Sequence, residues 1–164
     1  MSLPDIDQLL DSLEQQLREH LNHHQIEQPL LVGIRTGGVW IAEQLQQRLQ
    51  LEGELGILDI SFYRDDFTRH GLHPQVKGSE LPDSIEDRSI ILIDDVIKSG
   101  RTIRAAMNEL FDYGRPARIS LLTLLDVGQR ELPIQPDICG HRLSLNDGQI
   151  VKLSGPQPLT LSLS

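Results

Sequence analysis

Apolar residues in the first third of the chain recur at helical spacing, then as a short run, then again at helical spacing. Up to about residue 22 they repeat every three or four positions, which predicts an amphipathic helix; they are Ile6, Leu9, Leu10, Leu13, Leu17 and Leu21. Ser2 and Asp5 are candidate caps for its first turn. The apolar run 30–34 predicts a buried strand, and a second helical stripe follows the break at Gly37-Gly38. The chain therefore begins as helix, strand and helix.

The same alternation continues to about residue 125. Leu58, Ile60 and Phe62 alternate with polar residues, which predicts a half-buried strand. The apolar runs 90–93 and 119–125 predict two buried strands, and between them a helical stripe from Ile103 to Phe111 ends at Gly114 and Pro116. This order predicts an α/β fold in a single domain, 1–164, with a mostly parallel sheet flanked by helices on both faces.

Two regions do not fit this pattern. Residues 64–88 are polar and contain several Gly and Pro. A connection this long is uncommon in a compact domain unless it is functional or contains short strands. From residue 126 the chain has short strand-like pieces and then a tail, 155–164, whose Gly155-Pro156-Gln157-Pro158 argues against a helix.

Composition and charge exclude several classes of protein. The chain has 164 residues, of which 38% are apolar, and its single cysteine excludes an internal disulfide. No apolar run approaches 18 residues, and the first seven residues lack the order of a signal peptide, so we expect a cytoplasmic protein without membrane contact. With 15 Lys and Arg against 24 Asp and Glu, the net charge is −9. This charge disfavours the binding of nucleic acid over most of the surface.

The segment 90–102 carries the most specific chemical signal. Four apolar residues of a strand are followed by Asp94 and Asp95, which face opposite ways because they are adjacent in an extended chain. These carboxylates can accept hydrogen bonds from the hydroxyls of a sugar. Ser99, Gly100 and Thr102 then begin a helix, whose free amides and dipole favour a phosphate. The blander interpretation is a capped helix that follows solvated acids, but a ribose 5-phosphate accounts for the whole order of residues.

This segment resembles the phosphoribosyl pyrophosphate (PRPP) motif of the type I phosphoribosyltransferases. The resemblance continues in residues 31–38, 63–66, 76–78, 114–116 and 130–134. Within that superfamily, these segments resemble the PyrR family, whose members are pyrimidine regulators and also uracil phosphoribosyltransferases. The PRPP-binding segment is Ile90, Ile91, Leu92, Ile93, Asp94, Asp95, Val96, Ile97, Lys98, Ser99, Gly100, Arg101 and Thr102. The resemblance implies the type I fold, with a small hood in the C-terminal third, at 126–153, and a flexible lid at 64–88.

The resemblance also implies an activity and its ligands. Uracil would displace pyrophosphate from PRPP to give UMP. Mg²⁺ would bridge PRPP oxygens, and Asp94 and Asp95 would hold the ribose hydroxyls directly or through Mg²⁺ and water. The pyrophosphate loop would be Arg35, Thr36, Gly37 and Gly38, where the family has Lys-Thr-Arg-Gly, so Gly37 replaces a cation. Arg64 and Lys77 would close from the lid as catalytic cations, and Asp126 and Val127 would form the base end. A homo-oligomer, dimer or tetramer, is expected.

Two other functions stay open at this stage. One is an RNA-binding regulator with little catalysis, and the other is a purine phosphoribosyltransferase, which the PRPP motif alone permits. RNA binding in the family uses a segment reading Asp-Arg-Gly-His-Arg-Glu-Leu-Pro, but here Val127 and Gln129 replace the first Arg and the His. The candidate RNA contacts that remain are Arg115, Arg118, Arg130 and Arg142, provided that folding or assembly brings them onto one face. We therefore expect RNA binding to be weak.

His20, His23 and His24 have the i, i+3, i+4 spacing of a helical metal site. They lie at the end of the first predicted helix and have no acid at ligand spacing. A solvated helix terminus is therefore the better interpretation than a zinc site.

Overall fold

The computed structural model describes residues 2–60 and 78–164. Its helices are α1 (Ile6–His23), α2 (Gly37–Arg48) and α3 (Arg101–Tyr113). Its strands are β1 (Leu30–Ile34), β2 (Gly56–Leu58), β3 (Ser89–Ile97), β4 (Arg118–Asp126), β5 (Ile138–Arg142), β6 (Val151–Ser154) and β7 (Thr160–Leu163). Within the described residues, no helix is long and apolar enough to cross a membrane.

Five of the strands form one parallel sheet in the order β2-β1-β3-β4-β5, and β6 and β7 form an antiparallel hairpin. The predicted parallel α/β sheet is therefore confirmed. Helices cover both faces of the sheet, and successive residues of a strand point to opposite faces. Ile91 and Ile93 of β3 pack with α1 and α2, whereas Ile90 and Leu92 pack with α3.

The first helix begins and ends close to its predicted bounds. Asp5 is the N-cap, and its Oδ2 accepts a hydrogen bond from the Gln8 amide at 3.2 Å. All the predicted apolar positions from Leu9 to Leu21 are buried. Phe111 of α3 is an exception to the predicted stripes, because its side chain is 58% exposed.

Residues 78–88, which lead to β3, contact the sheet and the core. Residues 61–77, which include Arg64 and Lys77, lie outside the described residues. Ile57 and Glu80 exchange two backbone hydrogen bonds of 2.7 Å, and Ile85 is only 1% exposed within the core. Ile85 therefore anchors the stretch 78–88 in the core, and a lid over 64–88 stays a prediction.

The C-terminal region also differs from the prediction. The predicted hood, 126–153, contains β5, which joins the main sheet as an edge strand, and β6. The predicted tail, 155–164, contains β7, which pairs with β6 through Thr160, Leu161, Ser162 and Leu163. Leu159 is buried, and Leu161 and Leu163 pack against the core below α1 and α2. The tail is therefore the second strand of a packed hairpin.

Candidate active site

The carboxyl ends of β1, β3 and β4 lie side by side and bring together the three segments that the sequence singles out. Gly33 is paired with Ile93 across β1 and β3, and Ile97 with Asp126 across β3 and β4. The chain leaves β1 at Arg35, β3 at Lys98 and β4 at Val127. In open parallel sheets this edge is where ligands bind.

The two aspartates belong to β3 itself, which runs four residues beyond the predicted apolar run, to Ile97. Asp94 is buried, with 7% exposure, and its Oδ1 accepts a hydrogen bond from the Asp95 amide at 2.9 Å. Asp95 is half-buried, and its Oδ1 accepts from the Val96 amide at 2.8 Å. Asp94 is therefore largely shielded from solvent, whereas Asp95 is partly exposed.

The turn after β1 packs directly on β3. Gly37 and Gly38 form the first turn of α2 and do not lie in a separate loop before it. A Cβ at Gly37 would fall on the Asp95 carboxylate, and a Cβ at Gly38 would fall on the carbonyl oxygen of Ile93. Glycine at both positions therefore lets the turn lie against the two acids.

Arg35 has the chemistry of an anion ligand. It lies at the carboxyl end of β1, and its half-buried side chain has a buried Nε with no hydrogen-bond acceptor among the described residues. The peptide bond between Arg35 and Thr36 is cis. The first-turn amides of α2 point out of the same end of that helix, because the first four N–H groups of a helix have no partner within it. An arginine and a helix N-terminus together favour a phosphate or pyrophosphate group.

The loop after β3 forms a second helix N-terminus at the same edge. Gly100 is the N-cap of α3 and has φ of 94°, a left-handed conformation that glycine adopts readily. The Ser99 hydroxyl accepts a hydrogen bond from the Arg101 amide at 3.1 Å. A Cβ at Gly100 would face Leu132 and Ile134 at 3.5 Å. The left-handed backbone conformation is therefore a reason for glycine at this position.

A third segment, 126–135, covers this loop from the side of β4. The carbonyl oxygen of Ser99 accepts hydrogen bonds from the amides of Glu131 and Leu132, at 2.9 and 3.1 Å. Arg130 donates to both oxygens of Asp126, at 2.9 and 2.6 Å. The hydrogen bond from Arg130 is the main cause that lowers the pKa of Asp126, and the Gly128 amide and the charge of Arg142 act in the same direction. The pairing with Arg130 therefore favours the ionised form of Asp126 and fixes the orientation of its carboxylate.

An open cleft of about 340 Å³ lies beside Asp126. Its walls are formed by Asp126, Val127, Gly128, Arg130, Gln135, Arg142, Leu143 and Ser144. Sequence reasoning identified Asp126 and Val127 but missed Leu143 and Ser144, which become neighbours only because β5 pairs with β4. It also missed the contact of 131–132 with Ser99, although Asp126-Val127-Gly128 has the composition of a tight Asx turn.

The four arginines considered for RNA do not lie on one face of the chain. Arg115 and Arg118 are exposed at the amino end of β4, whereas Arg142 lies at the carboxyl end of β5. Arg142 pairs with Asp126, eight residues beyond Arg118, which is about 26 Å at about 3.3 Å per residue. Arg130 has its five N–H groups bonded within the chain. The single face that the RNA hypothesis required is therefore not formed within one chain.

His20, His23 and His24 lie at the opposite edge of the sheet, near the end of α1. His20 Nε2 is 2.7 Å from the hydroxyl of Ser120, and the ring of His24 lies against those of His20 and His23. No group of three or more His, Cys, Asp or Glu suited to a metal is found among the described residues.

Comparisons with known proteins agree on one family. A model of the phosphoribosyl transferase domain matches residues 2–152. The chain is 58% identical over 161 residues to the bifunctional protein PyrR of Pseudomonas paraeruginosa (strain DSM 24068 / PA7). The aligned region covers 98% of this chain and 95% of the relative. It is 55% identical over 163 residues to the bifunctional protein PyrR of Pseudomonas fluorescens, covering 99% and 97%.

Solved structures show the same fold at low sequence identity. A hypoxanthine-guanine phosphoribosyltransferase from Bacillus anthracis str. 'Ames Ancestor' superposes with a TM-score of 0.68 at 16% identity, covering 92% of this chain and 86% of that one. A hypoxanthine phosphoribosyltransferase from Staphylococcus aureus gives a TM-score of 0.67 at 16% identity, covering 92% and 81%.

Proposed function

The chain belongs to the phosphoribosyl transferase family and, within it, to the bifunctional PyrR proteins, and on that premise we propose that it transfers the phosphoribosyl group of PRPP to uracil. The products are UMP and pyrophosphate. The observation that carries this proposal is the meeting, at one sheet edge, of two helix N-termini, the acids Asp94 and Asp95, and the cleft beside Asp126. PRPP needs two anion sites separated by a site for a ribose.

Each part of PRPP corresponds to one segment of this edge. The 5-phosphate is bound by residues 98–102 at the start of α3, and the ribose hydroxyls by Asp94 and Asp95. Pyrophosphate is bound by Arg35 and by the amides of Thr36, Gly37 and Gly38 at the start of α2. The buried Nε of Arg35, which lacks an acceptor among the described residues, supports that assignment because a buried donor without a partner is costly.

The base lies at the cleft formed by Asp126 and Val127. N1 of uracil forms a bond to C1 of the ribose while the bond from C1 to the pyrophosphate oxygen breaks. Pyrophosphate leaves with the electron pair, and the N1 proton is released. The carboxylates beside the ribose stabilise positive charge that develops at C1, and the rigid sheet edge holds base and ribose in line.

Mg²⁺ fits the donor set of this site. Carboxylate oxygens and substrate phosphates are the ligands that this hard cation prefers, and Asp94 and Asp95 supply the carboxylates. When bound, the ion neutralises negative charge on pyrophosphate as it leaves. We also propose that Arg64 and Lys77, which lie outside the described residues, act as cations that close over pyrophosphate.

The test is product analysis with the purified chain. Uracil and PRPP with Mg²⁺ are expected to give UMP and pyrophosphate, and addition of a chelator in excess of Mg²⁺ is expected to abolish the reaction. Hypoxanthine and guanine serve as competing bases, and a preference for either of them would replace uracil in the proposal. Absence of any nucleotide product would contradict catalysis. Sedimentation equilibrium on the same sample distinguishes a dimer from a tetramer.

A further inference from the structure

Arg130 occupies an unusual position between the two ends of the proposed nucleotide site. Its side chain is 18% exposed, and that of Asp126, its partner, is 5% exposed. Gly128 and Gln129 both have left-handed backbone conformations, with φ of 72° and 62°. They fold the chain back after β4, so that Arg130 lies over the carboxylate four residues before it.

The five N–H groups of the guanidinium all have acceptors within the chain. Nη1 donates to Asp126 Oδ1 at 2.9 Å and to the Lys98 carbonyl at 3.0 Å. Nη2 donates to Asp126 Oδ2 at 2.6 Å and to Gln135 Oε1 at 2.9 Å. Nε donates to the Ile134 carbonyl at 2.7 Å. No donor of this side chain is left for a ligand, since a guanidinium has five.

These contacts join two parts of the site that belong to different strands. Asp126 lies at the end of β4 beside the cleft for the base, and Lys98 lies in the loop after β3 that leads to the helix N-terminus for the 5-phosphate. The amides of Glu131 and Leu132, next to Arg130, bind the carbonyl of Ser99 in that same loop. The segment 130–132 therefore holds the phosphate loop, residues 98–102, at a defined distance from the base end, Asp126 and Val127.

We propose that Arg130 is a positioning residue that sets the spacing between the base end and the phosphate loop. This proposal rests on the proposed function, because it takes the two ends of the site from it. A ligand that contacts both ends gains from a preset spacing, since its second contact costs little further ordering. A ligand that contacts only the phosphate loop gains much less. Arg130 thus acts on nucleotide through Asp126 and the loop, because all five of its N–H groups are already bonded within the chain.

The experiment compares UMP, which spans both ends, with ribose 5-phosphate, which reaches only one. Calorimetric titrations are made on the wild-type chain, on Arg130→Gln and on Arg118→Gln, a control at the exposed amino end of β4. Arg130→Gln is expected to weaken UMP at least tenfold and ribose 5-phosphate less than threefold. Arg118→Gln is expected to leave both dissociation constants within twofold of the wild type.

A purely structural role of Arg130 gives a different result. Loss of folded protein lowers the number of binding sites and the melting temperature, but leaves both dissociation constants unchanged or raises them by the same factor, and either result overturns the proposal. Arg130→Lys keeps the charge beside Asp126 and is the second variant if Arg130→Gln does not fold. It is expected to weaken UMP selectively, because an ammonium cannot bridge the same acceptors, and unchanged affinity for UMP would overturn the proposal.

The outcome is separable from that of the proposed function. A wild-type chain that binds UMP but forms none from uracil and PRPP contradicts catalysis, and the two affinities still test Arg130. A wild-type chain that forms UMP, with an Arg130→Gln variant that keeps wild-type affinity for it, contradicts the positioning role alone. A wild-type chain that binds neither ligand contradicts both.

Discussion

At the scale of single residues, neighbouring glycines in the turn after β1 have different structural reasons. A Cβ at Gly37 would meet the end of the Asp95 side chain, which can rotate away. A Cβ at Gly38 would meet the carbonyl oxygen of Ile93, which belongs to the central strand and cannot. In this chain the Asp95 carboxylate occupies the space next to Gly37.

These two positions give the first prediction. Gly37→Ala is expected to lower the rate of UMP formation at least tenfold, because it displaces the carboxylate that we propose binds the ribose, while the melting temperature changes by less than about 4 °C. Gly38→Ala is expected to lower the melting temperature by more than that, because its methyl group clashes with backbone. Melting curves and initial rates measure both, and equal behaviour of the two variants would contradict the distinction.

Asp95 carries the second prediction. Asn keeps an oxygen that can accept from the Val96 amide, so Asp95→Asn is expected to keep the fold. It removes the negative charge beside the ribose, so kcat is expected to fall at least 100-fold. Asp112→Asn, at an exposed position near the end of α3, is the matched control and is expected to retain the wild-type kcat. Normal turnover by Asp95→Asn would show that this carboxylate has no role in the reaction.

At the scale of elements, the seam between α1 and the sheet contains a pH-sensitive contact. His20 of α1 bonds the hydroxyl of Ser120, which is 2% exposed in β4. Burial is the largest cause that lowers the pKa of His20, and the charges of His24, Arg118 and His23 act in the same direction, against Asp137. The folded chain therefore favours the neutral imidazole.

The sign of the pH effect follows from this lowered pKa. As pH falls through the ordinary histidine pKa of about 6.5, His20 takes up a proton in the unfolded chain before it does so in the folded one. This contribution to stability is therefore present above that pH and lost below it. Between pH 7.5 and 5.5, the melting temperature of the wild type is expected to fall more than that of His20→Gln, which keeps a partner for Ser120 but does not titrate. Parallel curves would contradict this assignment.

At the scale of the whole molecule, the exposed arginines considered for RNA lie at two opposite edges of the sheet. Arg115 and Arg118 lie at the amino edge, and Arg142 lies at the carboxyl edge. The exposed side of α1 adds acids, among them Asp11 and Glu14, which pair with Arg48. Among the described residues, the exposed Arg115 and Arg118 thus lie far from Arg142, and the net charge of −9 further disfavours contacts with the phosphates of a nucleic acid.

This distribution gives the fourth prediction. We expect uracil phosphoribosyltransferase activity without tight RNA binding. The measurement is a filter-binding titration with pyrimidine-operon leader RNA at two salt concentrations, with and without UMP. Binding is expected to stay far weaker than nanomolar and to be unaffected by UMP. Nanomolar affinity that UMP increases and salt steeply decreases would mean that assembly of several chains builds the face that one chain lacks.

The sequence by itself determined the elements and the kind of ligand. Apolar residues at helical spacing identified α1, α2 and α3, and continuous apolar runs identified β1, β3 and β4. The two patterns differ because a strand in a sheet covered by helices is buried on both faces, whereas each helix buries only the face that it turns to the sheet. The order of Asp94 to Thr102 pointed to a sugar phosphate, because the chemistry depends on residues that are close along the chain. The convergence of three strand ends was predictable as well, since parallel strands share one carboxyl edge.

Only the tertiary structure decided contacts between residues distant along the chain. The pairing of β5 with β4 brings Leu143 to the cleft beside Asp126, and β7 completes a hairpin where the Gly-Pro pattern suggested a tail. Arg130 was a candidate for RNA in the sequence, because an arginine in a polar loop looks available. In the folded chain its donors are all used. A buried carboxylate at the end of β4, a carbonyl in the loop after β3 and a carbonyl in its own loop are among the acceptors that they bind.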